Sequence, residues 1–285
     1  MSKQPTKTNG DANHKPPAIV ASAAPPAHLA EYTDQAGAGT SQAAEDNLVP
    51  LIYVLQSNSP QVDRRSPAYV EGAEPGDIWL RNAPKGLEIV KGEEGALVQP
   101  CYFYRDVGEW IPRDDGGGFV GRHNVVKAAD IQGAKQDPDD KNHWLTADGT
   151  HDLVETRNHA VLVYAGGRAL PYLIPLSSTG HSVSRGWMMK MNDKTITDGP
   201  NRGRPYPSYA HLYRLTTEQR KNNEGTWFAL VVEDEVWASA EQAAAGRKLH
   251  DQFKSGEKVA EAPVEAAQAP GNDAAGEMGG DHIPF

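Results

Sequence analysis

The sequence predicts a mainly β fold with minor α content, and three observations carry that expectation. Between residues 46 and 254 the apolar residues fall in short runs rich in Val, Ile, Leu, Tyr and Phe, set apart by Gly, Pro, Asn and Asp. Only two stretches show an apolar stripe at helical spacing. No strand–helix alternation and no internal repeat is present. A small barrel or sandwich with insertions accommodates these roughly 210 residues around one core.

Taken in order, residues 1–45 read as a disordered arm dominated by Pro, Ala, Gly, Thr and Gln. Leu48 to Gln56 is a continuous apolar run, a buried strand or a short helix. Asp77 to Arg81 and Gly86 to Val90 are short strands, and Ala96 to Arg105 is a third, with Pro100 marking an edge or a bulge. Glu109–Ile111 and Gly118–Val120 flank a hairpin connection. Asp130 to Asp152 is a long polar insertion, and His151 to Gly166 a long strand. Pro171 to Leu176 is a further strand, followed by Ser177, Ser178 and Thr179, which offer capping oxygens to a helix over His181–Asn192. In that helix Val183, Trp187 and Met191 share one face. Tyr209–Leu215 and Gly225–Glu233 are strands joined by a hairpin loop over Thr217–Asn223. A last helix is expected over Val236–Phe253, with Trp237, Ala240, Ala244 and Leu249 along one side. Residues 255–285 read as a disordered acidic tail.

Charge is unevenly distributed. The chain carries a formal net charge of -10. Six acids stand against Lys258 beyond residue 255, so about half of the excess lies in the tail. The stretch from His181 to Asn223 is the reverse, with Arg185, Lys190, Lys194, Arg202, Arg204, Arg214, Arg220 and Lys221 against Asp193, Asp198 and Glu218. Trp187, Tyr206, Tyr209 and Tyr213 are interleaved with these cations. Cations that follow phosphates and aromatic faces that stack on bases are what single-strand binding needs. Trp79, Arg81, Lys85, Tyr102, Tyr104 and Arg105 form a second, weaker group. Two considerations temper these candidates. Trp187 sits on the apolar stripe of its helix, which favours the core, and Tyr209 and Tyr213 share a strand face that a barrel would cover. Arg202, Arg204 and Tyr206 lie in the Gly/Pro loop GPNRGRPYP, where neither burial nor strand pairing explains them.

The tail ends on Asp281-His282-Ile283-Pro284-Phe285, after a stretch with almost nothing to build a core. Two large apolar side chains there suit another protein's pocket, with Pro284 holding them extended. This ending resembles the tip of bacterial and bacteriophage single-stranded DNA-binding proteins, with His282 standing where an Asp is usual. The resemblance implies an OB-like β-barrel core that coats single-stranded DNA in phage replication or recombination. It also implies a tail that recruits replication, recombination and repair enzymes through Asp281, Ile283, Pro284 and Phe285. The alternative is an adaptor or strand-annealing factor that uses the tip without coating DNA.

Enzymatic readings find less support. No Walker-type phosphate loop and no nucleophile elbow occurs. His143, His151 and His159 lack compact ligand spacing, and the single Cys101 cannot supply a zinc-finger set. A non-enzymatic protein without cofactor or metal is expected. One cysteine allows no internal disulfide, and no apolar run of roughly 18 residues or signal-peptide pattern is seen, so the cytoplasm is the expected location.

Overall fold

Strand pairing over long sequence distances organises the chain around its longest strand. The computed structural model describes residues 48–138, 140, 143–222 and 225–261. The arm expected over 1–45 and the tip Asp281–Phe285 lie outside them. The strands are β1 (Leu48–Val49), β2 (Ile52–Val54), β3 (Ile78–Leu80), β4 (Ile89–Val90), β5 (Ala96–Ile111), β6 (Gly118–His123), β7 (Lys135–Gln136), β8 (Trp144–Leu145), β9 (Asp152–Ala165) and β10 (Arg168–Ser177). Helix α1 (Gly180–Asn192) follows, then β11 (His211–Lys221), β12 (Thr226–Trp237), helix α2 (Ala240–Lys254) and β13 (Val259–Ala260).

Eight strands form one sheet in the order β12-β11-β5-β9-β8-β7, with β10 added on β9 and β6 on β5. It curls into a half-barrel, as expected of a mainly β, OB-like core with insertions. β2, β3 and β4 make a separate three-stranded sheet. The register of β5 on β9 slips between Pro100 and Tyr102, the bulge that Pro100 signals because proline donates no ladder hydrogen bond.

Both faces of the large sheet are covered, each by a different helix. On one face Val98, Val161, Val163, Tyr172, Ile174, Tyr213 and Leu215 pack against Trp187 and Met191 of α1 and against Ile78 and Leu80 of β3. On the other, Cys101, Ala160, Leu162 and Leu173 pack against Leu249 and Phe253 of α2. Gly246 lets α2 approach closely: a Cβ there would stand 2.7 Å from Tyr209 Cβ and 2.8 Å from Gln99 Nε2. Buried Gln99 fastens this contact, donating to the carbonyls of Tyr209 (2.6 Å) and Gln242 (3.0 Å) and accepting from Tyr164 Oη (2.6 Å).

Several expected boundaries move. β11 continues to Lys221, so most of the loop expected over Thr217–Asn223 is strand paired with β12. β12 extends to Trp237 and the helix begins only after Ser239. There Ser239 Oγ accepts from Gln242 N at 3.2 Å and Gln242 Oε1 accepts from Ser239 N at 2.8 Å, a reciprocal cap that fixes the helix start. At α1 the expected side-chain cap is not made: Thr179 is the N-cap residue but its side chain accepts no capping bond. The body expected to end at Lys254 continues to Glu261, because β13 pairs in parallel with β1 and Glu261 N donates to Val49 O at 3.0 Å. No helix among the described residues is long and apolar enough to cross a membrane.

Candidate nucleic-acid interface

Strand alternation separates side chains that are adjacent in sequence. Along β5, Tyr102 and Tyr104 turn to the α2 face, where Phe253 packs on both at ring-centroid distances of 6.0 and 6.4 Å. Phe103 and Arg105 turn to the α1 face, paired in register with His159 and Arg157 of β9. Phe103 is half-buried, its ring tilted against His159 at 4.9 Å. The group Tyr102, Tyr104 and Arg105, read from sequence as one cluster, is therefore divided. Its two tyrosines pack, partly buried, against the core under α2, and Phe103 is the aromatic neighbour of Arg105.

The α1 face carries an open aromatic patch at the end of β12. Trp237 is 54% exposed and Tyr206 37%. Their rings meet edge to face at 5.0 Å, and His211 meets Trp237 in the same way at 5.2 Å. The loop between α1 and β11 brings Tyr206 there. Its two legs are tied by Ile196 N to Arg204 O (2.9 Å), Gly203 N to Ile196 O (2.8 Å) and Tyr206 N to Lys194 O (2.8 Å). Gly199 and Gly203 supply the positive φ values, 82° and 79°, that its turns require. Arg202 and Arg204 stand exposed on this loop, as the Gly/Pro composition suggests, and neither forms an ion pair among the described residues. Lys194 at the loop's base is held by Asp234 at 3.2 Å. A cleft of about 80 Å³ opens beside Tyr206, lined by Pro100, Tyr102, Phe103, His159, Met188 and Ser208 among others.

The remaining sequence candidates divide by environment. Trp187 is 1% exposed, stacked on His159 at 4.6 Å and edge-on to Tyr213 at 5.8 Å, so it is core and offers no face to a base. Tyr209 is half-buried against His250 at 5.8 Å, and Tyr213 is fully buried. Trp79 is half-buried and stacks on Tyr53 at 5.5 Å in the small sheet. Arg81, just past β3, pairs with Glu261 at 3.3 Å. Arg214 is engaged by Glu235 and by the carbonyl of Glu94. Arg185 is exposed on α1 and Lys190 partly so.

Titratable groups on this face report their surroundings. Burial, reinforced by the nearby Arg157, pushes His159 down to about 3, so it is a neutral ring bonded through Nε2 to Ser184 Oγ at 2.8 Å. Burial lowers His211 as well, with Lys194 adding to it. Elsewhere, His123 and His151 converge on Glu109 at 2.7 and 2.6 Å, an arrangement that sequence spacing does not show. Among the described residues no group of three His, Cys, Asp or Glu is placed to hold a metal ion.

Comparison with known proteins adds one match. Residues 20–259 fit the family model of Pam3 phage gp34-like proteins. The chain belongs to that family. The expectation of a bacteriophage protein thus agrees with its family. Neither the curated proteins nor the solved structures yield a match.

Helical spacing puts Trp237 on a helix face, whereas it ends β12. The signal that corrects this is Ser239-Ala240-Glu241-Gln242, a capping box that starts the helix after Trp237 and leaves the indole at a strand end.

Proposed function

We propose that this member of the gp34-like family binds single-stranded DNA on the α1 face, in phage DNA replication or recombination within the host cytoplasm. The observation that carries the reading is the exposed pair Tyr206 and Trp237 at the foot of a loop that holds Arg202 and Arg204 in solvent. A large aromatic pair left open beside unpaired cations is what stacking bases and following phosphates require. Each stacked base contributes about 1–3 kcal/mol. Phosphate contacts add a term that falls with salt. The role is non-catalytic and calls on no cofactor. Asp281, Ile283, Pro284 and Phe285 would recruit replication, recombination and repair enzymes, in keeping with the resemblance of that segment.

The test is a fluorescence-anisotropy titration of the full chain with labelled oligothymidylate and with duplex DNA, at low and high salt. Binding that prefers the single strand and weakens with salt is expected. No binding at low salt, or equal binding to duplex, would remove the coating function and leave recruitment through the tip as the role to pursue.

A further inference from the structure

On the α1 face, Arg105 of β5 and Arg157 of β9 are direct cross-strand partners. Antiparallel partners stand roughly 4.5–5.5 Å apart at Cα, and like charges placed opposite one another destabilise a sheet. Arg185 adds a third cation. His181 Nε2 lies 3.0 Å from Glu155 O, which fixes the first turn of α1 against β9, and Arg185 follows one helical turn later on the same side. Among the described residues the acid at this cluster is Glu155, which forms an ion pair with Arg105, so one carboxylate stands against three guanidinium groups. Its Oε2 is 3.6 Å from Arg105 Nη2, beyond hydrogen-bond length, and its Oε1 accepts from Ala128 N at 3.1 Å. Arg157 Nε is buried without a hydrogen-bond partner among the described residues. His181 is not a fourth cation here, since burial favours its neutral form and Arg157 and Arg185 act in the same direction.

We infer that Arg105, Arg157 and Arg185 form a seat for one phosphate group of a nucleic-acid backbone, with the adjacent Phe103 taking the neighbouring base. The inference deepens the single-strand reading and rests on it. Two guanidinium groups on neighbouring strands offer forked donors to one tetrahedral anion. Binding that anion relieves the repulsion between Arg105 and Arg157. Burial first, then the nearby Arg105 and Arg185, hold the pKa of Arg157 below the usual arginine range. The ligand is identified as a nucleotide strand, not a lone anion, by Phe103, which shares the face two residues from Arg105 and is half-buried. A phosphate with a stacking surface beside it matches a nucleotide unit.

The experiment compares the full chain with Arg157→Gln and with Arg185→Gln, an exposed position where folding is safe. The salt dependence of oligothymidylate affinity is measured for each, with thermal melting as the folding control. Each variant should lower the slope of log affinity against log salt by about 0.7, which is about 5-fold weaker binding near 0.1 M salt. Unchanged slopes in variants of a chain that binds oligothymidylate would overturn the phosphate seat and leave the single-strand reading intact. A parallel titration with inorganic pyrophosphate, followed by phosphorus NMR, separates the two failures. Pyrophosphate binding that Arg157→Gln abolishes, in a chain that ignores oligothymidylate, would keep an anion seat and overturn its nucleic-acid ligand. Binding of neither probe would overturn both.

Discussion

The two faces of the large sheet are built from the same residue types and finished differently. On the α2 face the aromatic residues are partly buried beneath a helix. Tyr102, Tyr104 and Tyr209 pack under a helix that Gly246 allows close and that Gln99 fastens. On the α1 face the helix covers Trp187 and Tyr213 but leaves Phe103 half-buried, Tyr206 and Trp237 open, and three arginines around one carboxylate. The difference teaches that aromatic density along this sequence does not locate a binding surface. What marks the proposed one is which aromatics remain uncovered, and which cations stand beside them.

That contrast can be broken by substitution. Phe253→Ala removes the ring packed on Tyr102 and Tyr104 of the α2 face and should cost about 3–5 kcal/mol in urea unfolding. Oligonucleotide affinity per folded molecule should not change, and a loss of affinity at full folding would assign that face a binding role. His159, buried on the α1 face, makes stability depend on pH. Its folded pKa of about 3 lies below the ordinary 6.5, so its contribution is fully present above pH 6.5 and is lost as pH falls toward 3. By pH 5 the wild type should have lost about 2 kcal/mol that His159→Leu does not lose. Parallel pH profiles for the two proteins would show that this ring is not held neutral. Gly246→Ala should destabilise by about 1–3 kcal/mol through overpacking on Tyr209 and Gln99. An isolated helix would instead gain about 1 kcal/mol from the same change, so the sign of the effect reports whether the close approach is real. Trp237→Ala, at an exposed strand end, should leave stability within about 0.5 kcal/mol. Its affinity for a single strand should fall by about 1–3 kcal/mol, read by anisotropy.

Much of the frame is legible in the sequence. The Pro100 irregularity, the long strand beginning near His151, the stripe of Val183, Trp187 and Met191, and the open loop of Arg202 and Arg204 all follow from local chemistry. The candidate site is legible only in part. Tyr206 and the loop arginines stand out because composition marks an exposed segment. Trp237 is obscured by a helix start expected four residues too early, and Arg157 by its place in a long strand whose pairing partner is distant in sequence. The pairing of Arg157 with Arg105 joins residues 52 positions apart, and register of that kind is fixed by tertiary packing that no local pattern encodes. The same holds for β13, whose pairing with β1 brings the two ends of the described body together.

The most direct measurement is ultraviolet cross-linking of the full chain to oligothymidylate, with cross-linked residues assigned by mass spectrometry. Cross-links at Phe103, Tyr206 and Trp237 are predicted, with none at Tyr102, Tyr104 or Tyr209. Cross-links confined to the tyrosines under α2, or none under conditions where DNA is bound, would contradict the assignment of binding to the open face.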